Sequence, residues 1–158
     1  GKTIRELLLN GSNIDPITEL FLYLSDRKEH IIKVILPAME EGKIVVSDRY
    51  YDSTFAYQGG GRDIDKLWIG SLMNYVVRNV IPDITFLIDI SPEISLSRIK
   101  GKDRIEKEEM AFHKRVRETY LERAREFPDR IRVINGAKTI REVQDDIRNQ
   151  LKKRLVHK

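Results

Sequence analysis

The sequence predicts an α/β fold built on a parallel sheet, and two observations carry that prediction. Short apolar runs rich in β-branched residues occur at residues 44–46, 84–90 and 131–134, the pattern of strands buried on both faces. Around them lie stretches in which apolar residues recur at helical spacing, bounded by capping residues and prolines. The 158 residues suit a single domain, residues 1–158, with a core of its own. Hydrophobic residues make up 41% and charged residues 34%, which predicts a soluble globular protein with the cytoplasm as its default location. No run is long enough to span a membrane and no signal-peptide pattern is present. Cysteine is absent, which excludes disulfides and thiolate metal sites. A net charge of +4 fits an anionic ligand and is too mild to argue for nucleic acid.

Taken in order, residues 3–10 read as a short helix ended by Asn10-Gly11, and Asp15-Pro16 opens the next with a cap and a first-turn proline. Leu20, Phe21, Leu24, Ile31, Ile32 and Ile35 extend that helix to about Glu41, with Pro37 predicted to kink it or to separate a last short turn. Tyr23 and Arg27 lie one turn apart on its surface, where a ring and a guanidinium can stack a base and bond its edge. The plain alternative is a packed tyrosine beside a solvated arginine. Residues 63–79 read as a helix with Leu67, Trp68, Leu72, Tyr75 and Val76 on its apolar side, Trp68 being core or a contact with a second copy. Asp89 ends the second strand, where a structural role is expected, and Ser91-Pro92 opens a short helix. Residues 98–106 form a short basic connector containing Arg98, Lys100, Lys102 and Arg104. Phe112, Val116, Tyr120 and Ala124 mark a long charged helix over 106–127. Thr139 and Glu142 form a capping box for a last helix striped by Ile140, Val143, Ile147, Leu151 and Leu155. His30, His113 and His157 show no metal-ligand spacing.

The chemistry concentrates in residues 44–62, IVVSDRYYDSTFAYQGGGR. Ligands of open α/β sheets bind beyond the carboxyl ends of the strands, where Asp48 and Arg49 are expected. A carboxylate and a guanidinium there suggest a metal or water ligand beside an anion clamp; a structural ion pair is the plain alternative. Ser53, Thr54, Tyr57 and Gln58 fit one short helical stretch. Gly59-Gly60-Gly61 reads as a loop that permits close backbone approach, with Arg62 as a second cation.

The run from Val46 to Gln58, VSDRYYDSTFAYQ, resembles the signature of thymidylate kinases, which phosphorylate dTMP with ATP, and the likeness extends from Ile4-Arg5-Glu6-Leu7-Leu8 to the last helix. The resemblance implies a three-layer α/β/α P-loop-kinase-like fold. It also implies that Gly1-Lys2-Thr3 is not the end of a Walker A loop. The family's first strand, P-loop, first helix and second strand are then absent from the chain as given. It assigns Tyr23 and Arg27 to the thymine ring, Arg49 to the acceptor phosphate, and Ser53, Thr54, Tyr57 and Gln58 to the rest of the acceptor pocket. Asp48 would hold Mg2+ or orient Arg49. Residues 98–106 become a lid, with Arg98 and Arg104 as catalytic cations and Lys100 and Lys102 on the donor phosphates; Ala137 and Lys138 lie near the adenine of ATP. A homodimer is the family's common state, with no role for nucleic acid or membrane. Two rivals stand beside this reading: another deoxynucleoside or nucleotide kinase, and a noncatalytic nucleotide-binding module.

Overall fold

The structure, a computed structural model, describes residues 1–11, 14–99 and 103–156. The chain begins with α1 (Lys2–Asn10) and α2 (Pro16–His30). α2 continues through a π-helical turn, Ile31–Ile35, into α3 (Leu36–Glu40). Asp15 caps α2 as expected, its Oδ1 accepting from the amides of Ile17 at 2.9 Å and Thr18 at 3.1 Å. Of the two outcomes expected at Pro37, the chain takes the second: α3 is a separate last short turn, set off by the π-turn just before it. Proline crowds the preceding turn, and widening that turn relieves the crowding without breaking the helix.

Residues 44–46 correct the sequence reading. They form no strand, and Ile44 and Val46 are 92% and 90% exposed. A strand exists only where a neighbour takes its backbone groups, and among the described residues none lies alongside this segment. Asp48 and Arg49 therefore stand in a bend rather than at a strand end, and Arg49 has a left-handed backbone, φ 66°. After α4 (Tyr51–Thr54) comes a second π-helical turn, Phe55–Gly61, where the sequence predicted a glycine loop. Gly59, Gly60 and Gly61 do permit a close approach, but to the protein itself: a Cβ on Gly60 would collide with Thr119 and one on Gly61 with the Phe112 ring.

α5 spans Lys66–Val76, and Asp65 caps it through the amides of Leu67 (2.6 Å) and Trp68 (3.1 Å). That start turns Ile69 and Met73 inward and leaves Leu67 (84%) and Tyr75 (80%) exposed, while Leu72 and Val76 of the expected stripe pack partly buried against the core. β1 (Thr85–Asp89), α6 (Pro92–Arg98), α7 (Met110–Glu126), β2 (Ile131–Asn135) and α8 (Ile140–Val156) complete the chain. β1 and β2 pair in parallel, from Thr85 opposite Ile131 to Asp89 opposite Asn135. The two strands expected at 84–90 and 131–134 are thus present, joined through α6 and α7. The capping box holds α8: Thr139 N donates to Glu142 Oε2 at 2.9 Å and Glu142 N to Thr139 Oγ1 at 3.3 Å. α8 packs against β2, with Ile140 left exposed rather than in the expected stripe. Among the described residues, no helix is long and apolar enough to cross a membrane.

The main core joins Leu20 and Leu24 of α2, and Ile31 and Ile35 of the π-turn, to Tyr51, Phe55, Ile69, Met73 and Val77. A second cluster sets Ala56 against Ile105, Phe112 and Val116, with Tyr57 and Tyr120 packed on it. Between these clusters and β2 sits Asp52, buried and carrying two arginines. Arg130 donates to both its oxygens at 2.6 and 2.8 Å, and Arg123 donates to Oδ1 at 3.3 and 3.2 Å. The Arg123 guanidinium also lies over the Phe55 and Phe127 rings, at 4.2 and 4.3 Å from their centroids.

Removing one partner from such a site leaves uncompensated buried charge, at a cost of about 3 kcal/mol. Asp52→Asn is therefore expected to lower Tm by roughly 10 °C. Asp146→Asn, which breaks the exposed Lys138 pair, should leave Tm almost unchanged. Equal thermal shifts in the two variants would contradict this difference.

Candidate functional site

The site is built from the partly buried face of α2 that carries Tyr23 and Arg27 and from residues 48–58, with the C-terminal end of β1 nearby. α2 begins at the Asp15 cap, so Glu19, Tyr23 and Arg27 follow at successive turns. Arg27 is largely enclosed, and burial pulls its pKa below the usual arginine value. One of its terminal nitrogens donates to Thr54 Oγ1 at 3.2 Å, and its guanidinium lies 5.2 Å from the Tyr50 ring centroid. Its Nε is buried with no hydrogen-bond partner. A buried donor left unpaired is costly, and an acceptor brought by a ligand would relieve it.

Arg49, in the bend before α4, is the second arginine of the region. Its guanidinium lies 5.6 Å from the Tyr57 ring centroid, and Tyr57 is the main influence holding its pKa above the ordinary value, with smaller effects from Tyr120, Asp48 and Tyr23. Tyr57 also meets the Tyr120 ring edge-on, with centroids 6.2 Å apart. Tyr120 donates from its hydroxyl to Ser53 Oγ at 2.7 Å, and burial raises its pKa so that the donor stays protonated. Burial also raises that of Tyr23, with the charge of Glu19 adding to the effect. Tyr23, Arg27, Arg49, Ser53, Thr54 and Tyr57 thus share one region of hydroxyls, rings and two guanidinium groups. Neither Arg27 nor Arg49 has an ion pair among the described residues.

Other candidates are placed elsewhere. Gln58 is buried and donates to Glu19 Oε1 at 2.7 Å. Arg62 pairs with Glu19 at 3.2 Å and Glu108 at 2.7 Å. Arg104 pairs with Glu19 and donates from Nε to the Leu8 carbonyl at 2.9 Å, which fixes it against α1 and α2. The Asp103-Arg104-Ile105-Glu106 segment is pinned by reciprocal bonds, Asp103 N to Glu106 Oε2 at 3.0 Å and Glu106 N to Asp103 Oδ1 at 2.8 Å. Arg98 is exposed, while Lys100 and Lys102 lie outside the described residues. The Ala137 amide is already bonded to Asn135 Oδ1 at 2.9 Å, and Lys138 pairs with Asp146 at 2.6 Å. Asp89 has the structural role expected, held by Arg117 through two bonds of 2.6 and 2.8 Å.

A cavity of about 180 Å³ opens where β1 ends, between Leu87, Ile88, Asp89 and Ile90 on one side and His113, Val116, Tyr57 and Tyr120 on the other. Ligand space beyond the carboxyl end of a parallel strand is where open α/β sheets place it. His113 Nε2 is buried there without a partner. Sequence reasoning weighed His113 only as a metal ligand and passed over Glu19. Glu19 had a signal, a carboxylate on the same side of the helix as Tyr23 and Arg27, but its partners lie far away in the chain.

The family model described as "Thymidylate kinase" matches residues 1–147. The chain is 46% identical over 155 residues to the thymidylate kinase of Carboxydothermus hydrogenoformans, covering 96% of this chain and 75% of that protein. It is 42% identical over 159 residues to that of Lactobacillus acidophilus, covering 96% and 74%. The crystal structure of thymidylate kinase from Ehrlichia chaffeensis superposes with a TM-score of 0.78 at 34% identity, over 96% of this chain and 72% of that one. The shared fold is the α/β P-loop-kinase architecture that the sequence led us to expect, and the chain belongs to the thymidylate kinase family.

Proposed function

We propose that this protein transfers the γ-phosphoryl group of ATP to dTMP, giving dTDP. One observation supports the reading most: Arg27 and Arg49 are left without carboxylates in a region lined by tyrosines and hydroxyls, while neighbouring arginines are committed to buried acids. A nucleoside monophosphate supplies what this region lacks, a ring to stack, an edge to bond and a phosphate to clamp. Tyr23 and Arg27 take the thymine. Arg49 takes the phosphate, whose oxygens suit the planar guanidinium fork. Tyr57 packs on the sugar and crowds a 2′-hydroxyl, with Ser53 and Thr54 completing the pocket and Gln58 supporting it from behind.

The acceptor oxygen is already anionic, so no strong base is needed; the task is to hold two polyanions in line and away from water. Mg2+ in kinase sites keeps most of its water and needs only one or two carboxylates besides the phosphates. The residues fit that use rather than a protein cage: Asp48 is exposed beside Arg49, and the described residues contain no cluster of three ligating groups. Asp48 would hold the ion, which when bound offsets charge on the phosphates. Arg98, exposed among the described residues, is assigned to the donor phosphates and the Ala137-Lys138 turn to the adenine, with Lys100 and Lys102, outside the described residues, keeping their assignment to the donor phosphates. The fixing of Arg104 by Glu19 gives it a supporting part in the lid, residues 98–106 of the single domain. We assign the protein to the cytoplasm, where ATP and dTMP are both supplied.

Arg49→Ala is expected to lose about a hundredfold to a thousandfold in turnover while the circular dichroism spectrum is kept. Near-normal turnover would remove Arg49 from the phosphate. Calorimetry should show dTMP binding more tightly than UMP, and equal affinity would exclude Tyr57 and Thr54 from discrimination. Phe21 and Trp68 meet edge-on at 6.1 Å on an exposed face of α2 and α5 that also carries Leu67, and we assign this face to a homodimer. Sedimentation should report a dimer that Trp68→Glu converts to monomer; a monomeric wild type would refute the assignment.

A further inference from the structure

Glu19 has no exposed surface at all, yet three polar side chains converge on it. Gln58 donates at 2.7 Å, Arg62 through Nε and a terminal nitrogen at 3.4 and 3.2 Å, and Arg104 through a short contact. Burial alone would raise its pKa, but the bonds from Arg104 and Gln58 and the charge of Arg62 outweigh it and hold the group below the ordinary carboxylate value. A carboxylate so placed stays ionised at neutral pH.

Its position matters more than its charge. Glu19 lies one turn before Tyr23 and two turns before Arg27 on α2, the helix that carries the base-holding side chains. Gln58 follows Tyr57 in the π-helical turn that carries the sugar-facing ring. Arg62 closes the same turn and Arg104 belongs to the pinned segment after it in space. The Glu19–Gln58 bond therefore crosses directly from the base side of the pocket to its sugar side.

We propose that Glu19 is a positioning residue for the acceptor: it sets the separation between α2 and the Phe55–Gly61 turn, and thereby the width of the pocket that selects dTMP. The inference rests on the acceptor site described above. Glu19 does not touch substrate. It acts through Gln58 and Arg62, and errors of about 1 Å in such placement can cost as much as a hundredfold.

The test is Glu19→Gln, which keeps the length of the side chain and removes its charge, with dTMP and UMP binding measured by calorimetry below the variant's melting temperature. The expected result is about tenfold weaker dTMP binding and a several-fold smaller preference for dTMP over UMP. A purely structural carboxylate would lower Tm while leaving the affinity and the preference as in the wild type, and that outcome overturns the proposal. Should Glu19→Gln fail to fold, Gln58→Met cuts the crossing bond alone and leaves both arginine pairs. It should reduce the preference for dTMP, and an unchanged preference overturns the proposal equally. Wild-type binding separates the two levels: no selective dTMP binding by the unaltered chain overturns the acceptor site and this inference with it, whereas selective wild-type binding retained by the variants overturns the inference alone.

Discussion

The turn from Phe55 to Gly61 lies so close to α7 that neither Gly60 nor Gly61 has room for a β-carbon. Much of the site follows from that contact. The π-helical winding leaves backbone carbonyls facing α7, and Arg115 satisfies those of Gly60 at 3.0 Å and Gly61 at 2.7 Å. Held there, the turn fixes Tyr57 against Phe112 and Tyr120, and Tyr120 in turn fixes Ser53. An ordinary α-helical turn with side chains at these positions would stand off from α7 and carry Tyr57 with it. π-turns are often retained where function needs the geometry they impose.

Charge is divided by a simple rule. Arg62, Arg104, Arg117, Arg123 and Arg130 each have a carboxylate, and each joins two elements of the chain. Arg27 and Arg49 have none; Arg27 lies against the Tyr50 ring and the Thr54 hydroxyl, and Arg49 against the Tyr57 ring. Composition alone cannot make this division, since all seven are equally basic on paper. It becomes visible only when burial is set beside partnership.

What was legible in the sequence was local. Asp15, Ser91 and Thr139 cap their helices because a cap needs only the next few residues, and β1 and β2 are short apolar runs that find each other in parallel. The signature residues 46–58 were legible as a family pattern. Pairings across long stretches of chain were not. The ties from Glu19 to Arg104 and from Asp52 to Arg130 join residues far apart, and nothing in their neighbourhoods announces them. The triple glycine looked like a loop because its φ freedom is local knowledge, while the approach of α7 is not. Residues 44–46 have the composition of a buried strand, but strand formation is a property of a pair of segments.

Arg49 holds a backbone conformation that glycine or asparagine adopts at lower cost. A search for stabilising substitutions would therefore favour a smaller residue there, and would discard the guanidinium in doing so. On the proposed role of Arg49 as the phosphate clamp, thermal robustness and turnover pull in opposite directions at this one residue. A screen scored on melting temperature alone would then collect variants at position 49 that have lost the proposed clamp, whereas changes on the exposed surface of α8 do not touch it.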